Sequence, residues 1–168
     1  MGKREAIKNA KKLYSAVSHK FPYEHTDLDM VLEHLGLEAY LYDPENYKDN
    51  EDVYLLLKIS SGFLVRDSKT IYVNMNEHPV RQRFTIAHEI AHYYLGHENS
   101  GVLMKNEDSS KGVNLQEVEA NAFAAELLMP ENLFKAYYIF GYSVDGLASK
   151  FGVSTQAVRH RIANLGLG

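Results

Sequence analysis

The sequence predicts an α+β fold, a small and mostly antiparallel sheet packed against a set of helices, and three observations carry that prediction. Four short apolar runs crowd the first half of the chain: Leu37 to Tyr42, Val53 to Ile59, Phe63 to Arg66 and Thr70 to Asn74 read as strands. Two long segments follow, Pro79 to Leu95 and Leu115 to Met129, with apolar residues at helical spacing. The chain then closes on two short segments separated by Phe151-Gly152-Val153, the pattern of a helix-turn-helix. Strands grouped first and helices grouped after them favour an α+β layout over an alternating one.

Taken in order, Lys3 to Lys20 spaces Ala6, Ile7, Ala10, Leu13, Tyr14 and Val17 on one helical face, with Lys8, Lys11 and Lys12 on the other. That is an amphipathic packing helix whose lysines form a solvated face, and Phe21-Pro22 breaks it. Thr26 or Asp27 caps a second helix that runs through Leu35 to Gly36. Between the strands, Tyr42 to Asp52 is a polar excursion loop and Ser60-Ser61-Gly62 suits a hairpin turn. Pro79 fits the first turn of the next helix and Gly96 its end. Glu98 to Asn114 is a second polar loop, either a connector or a flap ordered by substrate. Ser154 caps the last helix.

The 168 residues, 45% of them hydrophobic, suffice for one core with a small appended unit, which sets expected boundaries at residues 1–138 and 139–168. No internal repeat is present. No stretch approaches the roughly 20 apolar residues of a membrane span, and the basic N-terminus lacks an apolar signal core, so a cytoplasmic protein with no membrane partner is expected. Without cysteine, disulfides and thiolate metal sites are excluded, and any zinc must be held by nitrogen and oxygen. A net charge of −4 argues against a general nucleic-acid binder.

The segment His88-Glu89-Ile90-Ala91-His92 lies inside the helix that begins at Pro79. Residues four apart share a helical face, so the two imidazoles can converge on one divalent ion while Glu89, about 100° around, reaches its outer side. A catalytic zinc site takes three protein ligands and leaves a fourth position open. An extension within the same helix fails, because Gly96 and His97 fall one position out of register for a third histidine. The segment LQEVEANAFAAELLM offers Glu117, Glu119 and Glu126. Glu119 is the favoured candidate, since Ala120, Ala122 and Ala124 allow close approach and Phe123 and Leu127 continue its face. Glu117, nearly opposite, is assigned to the helix dipole. The layout is zincin-like.

The runs RQRFTIAHEIAHYYLGH (Arg81 to His97) and EVEANAFAAELLMP (Glu117 to Pro130), in this order and spacing, resemble the ImmA/IrrE family of bacterial metallopeptidases. The match is close over the central half of the chain and looser to the C-terminus. The resemblance implies that His88 and His92 bind the metal, that Glu89 is catalytic, and that Glu119, the Glu of the EAN triplet, is the third ligand. It also implies a helix-turn-helix-like piece behind the peptidase domain. The implied substrate is a helix-turn-helix transcriptional repressor whose cleavage lifts repression of mobile-element or stress-response genes.

In the expected mechanism Glu89 takes a proton from the attacking water and returns it to the departing amine. A substrate segment lies extended along an edge strand, for which Thr70 to Asn74 is the candidate. Zinc is the default ion, and manganese or iron accept the same ligands. Two other classes remain: a metal-binding regulator that docks rather than cuts, as in a toxin-antitoxin pair, and a DNA-binding protein. The latter would present Thr155, Gln156, Arg159 and His160 to a major groove. Lys150, Arg159 and Arg161 against Asp145 leave that region only +2, thin for phosphate neutralisation, which favours packing or protein docking.

Overall fold

Three strands, Glu38–Tyr42 (β1), Gly62–Val65 (β2) and Thr70–Asn74 (β3), form one sheet in the order β1-β3-β2. The computed structural model describes residues 2–98 and 114–168. β1 runs parallel to β3, pairing Glu38 with Thr70 and Tyr42 with Asn74, while β2 is antiparallel to β3. The sheet is therefore mixed, and β3 is its centre rather than an edge. The connection that leaves β1 contains a helix and leads to β2 in the opposite direction, and the short turn into β3 reverses the chain again, so β3 runs parallel to β1. The expected segment 99–113 of the second loop lies outside the described residues.

That helix is a correction: Val53 to Ile59 is not a strand but belongs to Glu51–Ile59 (α3). Asn50 caps it by accepting a hydrogen bond from the Val53 amide, and Glu51 and Asp52 place negative charge on its first turn. Leucine is a good helix former, and only Leu57 of the segment is buried, so capping and propensity outweigh an apolar run that has little core to fill. The turn between β2 and β3 spans residues 66–69, with Lys69 N–H donating to Arg66 O at 3.0 Å and Lys69 in a left-handed conformation. Ser60-Ser61-Gly62 instead joins α3 to β2. Tyr42 Oη pins this junction by donating to Ser60 O at 2.9 Å, and Asn74 Nδ2 donates to the same oxygen at 3.0 Å.

Among the described residues, the remaining α-helices are Lys3–Val17 (α1), Leu28–Leu35 (α2), Pro79–Leu95 (α4), Leu115–Leu128 (α5), Glu131–Ile139 (α6), Val144–Phe151 (α7) and Thr155–Leu165 (α8). Asp27, not Thr26, caps α2, and Thr26 is buried with its hydroxyl donating to Leu127 O at 2.6 Å. α5 packs along both α1 and α4, and the sheet lies against α4. Ala6, Ala10, Ala87, Ala91, Ala120 and Ala124 are fully buried, the small side chains that let helix axes approach closely. At Gly62 the sheet meets α4 so tightly that a Cβ would stand 2.6 Å from Thr85 Cγ2 and from Tyr72 O.

Ser143 and Ser154 cap α7 and α8, and Gly152 makes the turn between them with φ of 65°. Phe134, Leu147, Phe151, Val153 and Val158 bury this helix pair against the rest of the molecule. Arg161 does the same by charge: it is buried, paired with the buried Glu126 carboxylate of α5, and donates to Met129 O at 2.8 Å. No helix among the described residues is long and apolar enough to cross a membrane.

Candidate metal centre

α4 is built to carry two imidazoles inward. Pro79 opens it, His78 caps it, and Gly96 closes it in the left-handed conformation that glycine adopts without strain. One turn apart, His88 and His92 point the same way, with their Nε2 atoms 3.0 Å from each other. Glu117 arrives from the first turn of α5, whose end Asn114 caps by accepting from the Gln116 and Glu117 amides. Its Oε2 stands 3.2 Å from His88 Nε2 and its Oε1 3.2 Å from His92 Nε2. His88, His92 and Glu117 are the group, among the described residues, whose donor atoms could hold a metal ion.

The donor set fits a small divalent cation. Bonds of about 2.0–2.1 Å in a tetrahedron put ligand atoms roughly 3.3 Å apart, close to the spacing of these three. Burial lowers the pKa of His92, and the neighbouring His88 and His97 add to this against the opposing Glu117. The result favours the neutral ring, the form that binds metal. Hydrogen bonds from His88 and then His92 hold the Glu117 carboxyl well below the usual carboxylate range, so it is an anion.

Glu119 does not join this group. Its Oε2 lies 2.9 Å from His97 Nε2, and His97 Nδ1 lies 3.0 Å from His92 Nδ1. Both Glu119 and His97 are buried, at 5% and 4% exposure, whereas the Glu117 side chain is 34% exposed. The two glutamates do face opposite sides of α5, as expected from their spacing. The small and apolar neighbours of Glu119 face the core, whereas Glu117 stands on the cleft side, where a ligand can leave a coordination position open to solvent. Asn121, one turn beyond Glu117, marked that side and was missed. Its Oδ1 lies 3.1 Å from His88 Nδ1, which orients the ring with Nε2 toward the cleft.

Glu89 is buried and lines a cleft of about 280 Å3 together with His88, His92, Glu117 and Ser60-Ser61-Gly62. Sequence reasoning also missed Arg66. Its guanidinium donates to both His92 O, in the last turn of α4, and His97 O, just beyond the helix, at 2.6 Å.

The four residues proposed for docking divide. Gln156 and His160 line a second cavity beside the cleft, Thr155 is half-buried and Arg159 is exposed. Of the cations counted for that region, Arg161 faces inward to Glu126 and Lys150 pairs with Glu24 at 2.7 Å.

Two imidazoles one turn apart, a glutamate between them in sequence and a carboxylate from a crossing helix define an HExxH metallopeptidase. The IrrE N-terminal-like domain model of peptidase family M78 matches residues 46–163, and the chain belongs to that family. It is 28% identical over 125 residues to metallopeptidase ImmA of Bacillus subtilis (strain 168), covering 70% of this chain and 73% of that protein. It is 32% identical over 97 residues to the uncharacterized immunity region protein 2 of Bacillus phage phi105, covering 56% of this chain and 61% of that protein. A solved structure described as a Mycobacterium tuberculosis transcriptional regulator superposes with a TM-score of 0.65 at 22% identity over 95% of this chain. The chain spans less than half of that structure, 46%, and the likeness is one of fold.

Proposed function

We propose that the chain is a zinc-dependent endopeptidase of the cytoplasm that cuts a helix-turn-helix transcriptional repressor at one site and so lifts repression of mobile-element or stress-response genes. The convergence of His88, His92 and Glu117 beside Glu89 in one cleft carries this reading. The relatives support its setting, one being a metallopeptidase and another an immunity region protein of a phage.

His88, His92 and Glu117 would hold a divalent ion, which when bound would supply Lewis acidity toward the scissile carbonyl and the attacking water. Glu89 accepts the proton of the attacking water as general base and returns it to the departing amine. Asn121 and His97, each on the Nδ1 of one ligand imidazole, keep both rings facing the cleft. The substrate backbone pairs with the outer edge of β2, whose first residue, Gly62, lines the cleft, rather than with β3.

Co-expression with the repressor encoded beside it tests the reading. The wild-type chain should produce two repressor fragments, and Glu89→Gln should keep its zinc and produce none. Cleavage by Glu89→Gln at the wild-type rate would remove Glu89 as the base, and an intact repressor with the zinc-loaded wild-type chain would remove the substrate assignment.

A further inference from the structure

Beside the metal cleft lies a larger cavity of about 680 Å3, formed between α4, α5 and α8. Its size is in the range of ~300–1,000 Å3 found for ligand sites. Arg81, Phe84 and Asn121 line both cavities, so the two are continuous, and a chain passing over Asn121 leaves the cleft and enters the second space. The floor is apolar, contributed by Phe84, Val118, Ala122, Ala125, Met129 and Ala157. The permanently charged groups at its walls are of one sign: Lys3 and Arg81 are exposed there, beside the imidazole of His160, and the charge of Arg161 is already matched by Glu126. No Asp or Glu is among the described residues that line it, although the chain as a whole has a net charge of −4.

We propose that this cavity is the docking subsite for the substrate polypeptide on one side of the scissile bond, and that it selects a segment whose apolar side chains are flanked by acidic residues. The inference rests on the peptidase reading for its occupant, a polypeptide, and on the cavity's own lining for the chemistry it selects. Apolar side chains gain by leaving water for the floor, and carboxylates meet the positive charge of Lys3 and Arg81, with no Asp or Glu among the described lining residues to oppose them. The C-terminal helix pair thereby has a task other than DNA contact: Gln156 and His160, on the face that a helix-turn-helix would turn to a major groove, stand over this cavity instead.

The test is display selection of random dodecapeptides on the zinc-loaded Glu89→Gln chain, followed by fluorescence anisotropy with the selected peptides. Selected peptides should be enriched in Asp or Glu next to apolar residues. Gln156→Trp, which fills the mouth of the cavity from an exposed position, should weaken their binding by about tenfold or more, the loss typical of a central contact. His160→Glu should abolish the acidic enrichment, and both variants should keep the zinc stoichiometry of the parent. Failure to select any peptide, enrichment without acidic residues, or equal binding by parent and both variants would overturn the proposal. Incubating the selected peptides with the wild-type chain separates the two readings. Peptides that bind through the cavity and are never cut would sink the peptidase and leave the subsite standing, whereas cut peptides indifferent to both variants would do the reverse.

Discussion

Replacing Glu117 and Glu119 separately by alanine discriminates the third metal ligand from a supporting residue. Glu117 presents one carboxylate oxygen to each imidazole Nε2 at 3.2 Å, while Glu119 reaches the pair only through His97. Loss of a group that orients a ligand lowers metal affinity by about 10–100-fold. Glu119→Ala should fall in that range, because His97 loses its partner and His92 is held less firmly. Glu117→Ala removes a charged donor from the ion itself and should exceed the upper limit, a loss of more than about 2.7 kcal/mol for a factor above 100. Zinc affinity is read by competition with a chelator of known strength, with bound metal counted by elemental analysis. A larger loss for Glu119→Ala than for Glu117→Ala would refute the argument from geometry and restore the residue first favoured by the sequence.

Arg161→Met should destabilise the chain by about 3–5 kcal/mol in urea unfolding, because it strands the buried Glu126 carboxylate without its partner; a loss below about 1 kcal/mol would show the pair to be dispensable. Gly62→Ala should cost about 1–3 kcal/mol and lower peptidase activity together, since its methyl group collides with Thr85 and with the β3 backbone beside the cleft, and unchanged thermal stability would contradict this. Lys11 first and Lys135 second hold the Glu131 carboxyl down at about 2, against an ordinary value of 4.5. A depressed carboxylate stabilises the fold above its unfolded pKa, so the advantage of the wild type over Glu131→Gln should be full above pH 4.5 and vanish as pH falls through about 2. Its size is at most about 1 kcal/mol, the worth of a surface pair, and a difference that grew on acidification would reverse the sign.

The metal helix was legible because every local signal agreed: Pro79 at its start, Gly96 at its end, and apolar spacing that buries Ile90 and Ala91 while turning His88 toward the cleft. α3 was not, because YLLLKI reads as a buried strand until Asn50 is recognised as a cap and the exposure of Leu55 and Ile59 is known. The parallel pairing of β1 with β3 comes from two reversals, one through α3 into β2 and one at the turn into β3, and was lost when α3 was read as a strand. On α5 the period was readable but the facing was not. Both sides of the helix contact neighbours, so the alanine-rich side drew attention to Glu119, while the polar Asn121 in line with Glu117 held the better clue. The inward turn of Arg161 was likewise hidden, since a lone arginine in a surface-like helix carries no sign of a buried partner.

Arg66 joins the turn after β2 to a carbonyl in the last turn of α4 and to one just beyond it, so the sheet and the imidazole-bearing helix are tied into one body. Two histidines at the fraying end of an isolated helix would have to be frozen by the cation itself, and that ordering would be subtracted from the affinity. Here the freezing is done during folding, by a guanidinium that never touches the ion. The site is preorganised, and substitutions in the β2–β3 turn, remote from any ligand, should be felt as a weaker hold on metal.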